Sequence, residues 1–218
     1  MNAVKRLSPA VKLVIICVVC TLLLSATYEL TRGRIEMQSQ QAQRERLSVL
    51  FLDGNRFEDV PLDKDISGTL EELDAKPDSI TRVYNTNDSL IGTAVTATTQ
   101  GYGGDVIVTV AFSVDGSIVG ISVSATGETP NVGDKVNGSV TSISVEEINA
   151  YNATDGERFL AQFISVPPFT EVSSGSGDVN HVDVISRATV SSEATIKAFN
   201  KAVKAFIYIN EKGAAENE

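Results

Sequence analysis

Asp105-Val106-Ile107-Val108-Thr109-Val110-Ala111-Phe112-Ser113-Val114-Asp115-Gly116-Ser117-Ile118-Val119-Gly120-Ile121-Ser122-Val123-Ser124-Ala125 carries the reading on which the fold depends. Val106, Val108, Val110 and Phe112 fall on every second position, and Ile118, Ile121 and Val123 resume the apolar pattern after Asp115-Gly116. A period of two is the repeat of a strand with one buried face, and Asp-Gly between two such runs marks a hairpin. Strands are therefore expected over 105–114 and 118–125. Upstream, Leu90 to Thr98 alternates in the same way, and Ile80 to Tyr84 opens the β-rich region. Together these runs predict a half-buried antiparallel sheet. Near the C-terminus the period changes. From Ile196, apolar residues recur at Phe199, Val203, Phe206 and Ile207, with Ala198, Ala202 and Ala205 between them, which predicts one buried helix face running to about Lys212. The class is α+β: a twisted antiparallel sheet packed by helices.

The chain begins differently. Lys5, Arg6 and Lys12 precede an uncharged, mostly apolar run from Leu13 to Tyr28, closed by Glu29. With Leu7 to Val11 counted and Lys12 snorkelling, the run reaches the roughly 20 residues of a spanning helix. We expect an N-terminal tail and transmembrane helix over 1–28, a helical connector over 29–53, a domain over 54–212 and a solvated tail over 213–218. The competing reading is a cleavable signal peptide, with Ser25-Ala26-Thr27 as its cleavage region. Cys17 and Cys20 form a C-x-x-C inside this run, where packing is the expected role because no strand-turn-helix surrounds them. A short helix is expected at Ser67 to Asp74, a helix from Val145 to Phe163 interrupted near Asn152 to Gly156, and a mobile loop from Glu171 to Asn180.

Composition narrows the chemistry. A formal net charge of −10 over 218 residues and the lack of a basic patch exclude nucleic acid as a general electrostatic partner. His181 is the single histidine, so a His/Cys zinc site has too few ligands near one another. No Gly-x-Gly-x-x-Gly lies between a strand and a helix, so the chain is not expected to bind NAD itself.

Just before the last helix stands Asp183-Val184-Ile185-Ser186-Arg187-Ala188-Thr189-Val190-Ser191-Ser192. Short hydroxyl side chains suit the unpaired N–H groups of a helix start, and the same end of a helix favours phosphate. Asp-x-x-Ser-x-Ala-Thr resembles the flavinylation motif of the FMN-binding domain family, found in the G subunit of Rnf complexes and the C subunit of sodium-pumping NADH:quinone reductases. Gly101-Tyr102-Gly103-Gly104 and Gly127-Glu128-Thr129-Pro130-Asn131-Val132-Gly133 resemble two other segments of that family, in the same order. Phe159-Leu160-Ala161-Gln162-Phe163 resembles the Phe-x-x-Gln-Phe of Rnf G subunits. Two positions depart from the pattern, since the family commonly has Gly where this chain has Arg187 and Asn131.

The resemblance implies that Thr189 carries FMN through a phosphoester installed by a flavin transferase from FAD and magnesium. Asp183, Ser186 and Ala188 would be recognition residues, with Ser191 and Ser192 crowding the helix start. Tyr102, Glu128, Thr129 and Gly133 would border the flavin, and Arg187 is a candidate partner of its phosphate. The implied role is a membrane-anchored electron relay in an ion-translocating ferredoxin:NAD oxidoreductase, with other Rnf subunits as partners. The N-terminus would be cytoplasmic and the FMN domain extracytoplasmic, on a bacterial inner membrane. The C subunit of the quinone reductase and a membrane-tethered scaffold without cofactor are the alternatives.

Overall fold

The computed structural model describes residues 8–145, 148, 153–175 and 180–215. Lys5 and Arg6, most of the segment from Glu146 to Asn152, and the centre of the expected loop at 176–179 lie outside the described residues. Two compact units divide the chain after Glu45. The first helix, α1 (Pro9–Leu50), begins in the first unit and ends in the second.

Within the first unit, residues Pro9–Arg34 form a 26-residue stretch of mean hydropathy 2.4. At 1.5 Å per residue that is about 39 Å, longer than a bilayer's hydrocarbon core. Polar side chains in this stretch are satisfied locally: the Thr21 hydroxyl donates to the Cys17 carbonyl at 2.8 Å, and Thr27 to that of Leu23 at 2.9 Å. Bonding back onto the preceding turn lets a hydroxyl sit in apolar surroundings without an orphaned donor. The segment has the length and composition of a membrane anchor.

The second unit is built on a six-stranded antiparallel meander whose spatial order equals its chain order. Its strands are β1 (Arg56–Asp59), β2 (Ser79–Tyr84), β3 (Leu90–Gln100), β4 (Asp105–Ser113), β5 (Ile118–Ser124) and β6 (Gly138–Thr141). The expected hairpin is β4–β5, with Val108 opposite Val123 and Val110 opposite Ile121. Three helices belong to this unit: α2 (Lys64–Glu72), α3 (Asp155–Ile164) and α4 (Thr189–Ala215). The expected short helix starts at Lys64 rather than Ser67. The edge strands β1 and β6 were not expected, because four residues carry too little alternation to register.

Alternation along the central strands gives the sheet two different faces. Val95, Val108, Val110, Phe112 and Ile121 join Phe159, Phe163, Phe199 and Val203 of α3 and α4 in the larger core. Phe112 stacks on Phe206 with ring centroids 4.2 Å apart, and Phe163 meets Phe199 at 4.8 Å. Ala198, Ala202 and Ala205 are fully buried, and such small side chains let α4 lie close to the strands. On the opposite face, Leu47, Leu50 and Phe51 pack on Val83, Ala94 and Ala111. Gly92 makes room there: a Cβ at that position would stand 2.6 Å from Phe51 Cε1. Burying these side chains is worth about 1.5–3 kcal/mol each against the entropy of ordering the chain.

α3 begins at a capping box. The Glu157 N–H donates to the Thr154 hydroxyl at 3.2 Å, and the Thr154 N–H donates to the Glu157 carboxylate at 2.8 Å. Gly156 thus lies in the first turn of this helix rather than in a break. Hydrogen bonds from the Thr154 backbone and then its hydroxyl hold the Glu157 carboxyl below its ordinary value. A depressed carboxylate stabilises the fold above its unfolded pKa, and that contribution is lost as pH falls through the folded value. Thr154→Ala is accordingly expected to cost about 1 kcal/mol at neutral pH. The difference from wild type should narrow below about pH 4, as followed by urea unfolding at stepped pH.

Candidate functional site

The approach to α4 is held from both sides. The Asp183 N–H donates to Gln162 Oε1 at 2.8 Å and Gln162 Nε2 donates to the Asp183 carbonyl at 3.2 Å, so one side chain on α3 grips both backbone groups of the residue. Two residues on, the Ile185 N–H donates to Ser192 Oγ at 3.1 Å in a buried bond. Between these points the chain turns through Ser186 and Arg187, and the Ala188 N–H closes the turn on the Ile185 carbonyl at 3.0 Å. Thr189 then opens the helix with its side chain in an exposed position, whereas Ser191 is 2 % exposed and Ser192 fully buried. The hydroxyls crowding this helix start therefore differ in role: Ser192 fastens the preceding turn to the helix, Ser191 faces inward, and Thr189 stays open to solvent.

Arg187 has a φ of 70° and Asn131 a φ of 59°. Both positions where this chain replaces a glycine expected from the resemblance thus keep the left-handed backbone that glycine adopts most easily. Asn tolerates that region through its short polar side chain; Arg does so at about 1–2 kcal/mol. Arg187→Gly should relieve this strain, offset in part by the greater freedom of Gly in the unfolded chain. A net stabilisation of about 0.5–1 kcal/mol is expected, readable as a higher urea midpoint.

A second set of loops meets this turn. Glu128 is 5 % exposed, and its carboxylate accepts from the Tyr102 N–H at 2.7 Å and the Gly103 N–H at 3.3 Å, tying the loop after β5 to the loop before β4. The Thr129 carbonyl accepts from the N–H groups of Val132 and Gly133 at 3.1 and 3.0 Å, which folds 129–133 into a tight coil. Gly133 is where that coil meets α4. A Cβ there would collide with Glu128 Oε2 and lie 2.8 Å from Ser191 Oγ.

These segments enclose a pocket of about 280 Å³ lined by Tyr102, Glu128, Thr129, Val132, Gly133 and Arg187 to Ser191. Six of the residues singled out from the sequence are thereby brought together: Tyr102, Glu128, Thr129, Ala188, Thr189 and Ser191. Asp183 and Ser186 instead line a neighbouring groove of about 440 Å³, and Arg187 borders both hollows. Ser192 lines neither. Tyr102, Val132 and Val190 leave 77, 39 and 49 % of their surface exposed around the smaller pocket, an apolar rim beside a hydroxyl. Val132 and Val190 were not singled out; an exposed valine carries no signal until its neighbours are known. The expected loop at 171–180 is anchored where it is described. Val172 exchanges two hydrogen bonds with the Asn200 side chain, and the Val182 N–H donates to the Ser173 carbonyl at 2.9 Å.

Comparison with known proteins agrees with this geometry. The FMN-binding domain profile matches residues 101–204, which include every lining residue of the smaller pocket, and the RnfG N-terminal region matches residues 6–50. The chain is 27% identical over 198 residues to the G subunit of the Na(+)-translocating ferredoxin:NAD(+) oxidoreductase complex of Acetobacterium woodii, covering 89% of this chain and 88% of that one. It is 26% identical over 150 residues to the G subunit of the ion-translocating oxidoreductase complex of Haemophilus influenzae, covering 64% and 69%. A crystal structure of Shewanella oneidensis NqrC aligns with a TM-score of 0.38 at 19% identity, over 62% of this chain and 61% of that one, less than two-thirds of its length. The two profile matches together take in more than half of the sequence, and the chain belongs to the FMN-binding domain family, in the group whose members carry the RnfG N-terminal region.

Proposed function

We propose that this chain is the G-type subunit of an ion-translocating Rnf complex and relays electrons through one FMN joined to Thr189 by a phosphoester. The observation that carries the reading is the exposed Thr189 side chain at the mouth of a pocket built from three separate segments of the FMN-binding domain. The residues fit the group. Thr189 supplies a hydroxyl at a helix start, where unpaired N–H groups and the helix dipole favour phosphate, and Tyr102, Val132 and Val190 offer apolar surface to a ring system. A pocket near the small end of ligand sites encloses part of a nucleotide at most, so a covalent tether supplies the retention that burial does not. In the attachment step the Thr189 oxygen forms a bond to the flavin phosphorus of FAD, AMP leaves, and the hydroxyl proton passes to a base of the transferase. When bound, the flavin supplies the electron chemistry. The protein fixes the acceptor through Gln162 and Ser192 and shapes the pocket through Glu128 and Gly133.

Its partners in this reading are the other Rnf subunits, the flavin transferase and the membrane. The N-terminus lies in the cytoplasm and the domain on the extracytoplasmic side. The boundaries 1–28, 29–53, 54–212 and 213–218 describe tail and anchor, connector, FMN domain and C-terminal tail. Co-expression with a flavin transferase, followed by denaturing electrophoresis, tests the function. Fluorescence that stays with the denatured chain is expected, whereas a dark chain would favour the scaffold reading.

A further inference from the structure

The larger groove has no part in the function proposed above, yet its lining is chemically specific. Asp155, Arg158, Phe159 and Gln162 stand three and four residues apart on α3 and so share one helix face. They look across about 440 Å³ at the turn 183–187, with Lys135 at the side. Lys135 Nζ lies 3.0 Å from Asp155 Oδ2, so these two charges answer each other. Gln162 is spent on the Asp183 backbone. Among the described residues, Arg158 and Arg187 make neither an ion pair nor a side-chain hydrogen bond, and both are exposed. The lining carries three cations and two carboxylates, a positive balance in a chain of net charge −10. A free guanidinium offers a planar fork of donors matched to phosphate oxygens, and two of them on one concave surface favour a doubly charged anion.

We propose that this groove is a phosphate site that holds the phosphomonoester of a nucleotide between Arg158 and Arg187. The site needs no modification of Thr189; its usefulness beside that residue, through the shared Arg187, rests on the function proposed above. The phosphate comes either from the nucleotide attached at Thr189 or from a second, free nucleotide. Both sources ask for the same two guanidinium groups.

The test is a calorimetric titration of the full chain in detergent, made without any transferase, using AMP, adenosine and inorganic phosphate as probes. AMP is expected to bind at least about tenfold more tightly than adenosine, with an affinity that falls as salt rises. Arg158→Gln and Arg187→Gln should each weaken AMP by about tenfold. Arg158→Lys, which keeps the charge but not the fork, should fall between. Arg82→Gln on β2 removes the same charge away from the groove and should leave AMP binding unchanged. Equal affinity for AMP and adenosine, or an AMP affinity indifferent to Arg158→Gln in a chain of unaltered circular dichroism, would overturn the proposal. Repeating the titration on flavin-loaded chain separates the sources, since loss of AMP binding identifies the attached nucleotide as the occupant and retention identifies a free one. Because the first titrations use unmodified chain, a groove that fails and a Thr189 that carries no flavin are distinguishable results.

Discussion

Thr189→Ala should abolish the added mass of FMN less one water that the intact wild-type chain carries after co-expression with the transferase. The expected loss is complete rather than partial, because no nearby hydroxyl is a ready substitute. Ser191 and Ser192 are buried, and the Ser192 oxygen already accepts from Ile185. Ser186 is exposed but lines the other groove. Intact-mass spectrometry on wild type and variant, with peptide mapping of 188–197, checks the claim. Flavin mass that persists in the variant, on Ser186 or elsewhere, would defeat the assignment of the acceptor. A wild type with no added mass would defeat the covalent relay altogether.

Glu128→Ala should be the most damaging single change outside the hydrophobic core. It removes the acceptor of two backbone N–H groups and leaves them in a nearly closed space. Hydrogen bonds to a charged group are worth about 1.5–3 kcal/mol, and an orphaned buried donor costs about 1–3 kcal/mol. These terms overlap, so a loss of about 2–4 kcal/mol in urea-derived stability is expected. Glu128→Gln keeps one carbonyl oxygen for the Tyr102 N–H and should cost about 1 kcal/mol. The contrast is informative, since near-equal losses in the two variants would mean that charge, not the tie between the loops, is what Glu128 contributes.

How much of this could be read from residues alone follows from where each signal lies. The β4–β5 hairpin was legible because both strands are long, alternate cleanly and flank Asp115-Gly116. The last helix was legible because its apolar spacing persists from Ile196 to Ile207. Strand β1 was not, since Arg-Phe-Glu-Asp shows one apolar residue and pairs with β2 across an intervening helix. In the site, Thr189 and the two glycine-rich loops were named from their resemblance to a family, and the structure gathers them in one pocket. The grip of Gln162 on Asp183 spans 21 residues, and the facing of Arg158 toward Arg187 depends on how α3 docks. Neither leaves a local pattern. Arg187 was read as a departure, and its left-handed φ explains why a glycine is expected at that place: the turn demands a conformation, and the side chain is secondary.

The meander joins strands that are neighbours in sequence, but the last helix reaches back across it. The Thr99 hydroxyl donates to the Ala194 carbonyl at 2.6 Å over a separation of 95 residues. During translation, strands β1 to β6 can therefore assemble while the acceptor is still inside the ribosome, and the final helix docks only once the polypeptide is nearly complete. A nascent or truncated chain has no properly seated Thr189 to offer, so cofactor loading falls after, and reports on, the finishing of the whole domain.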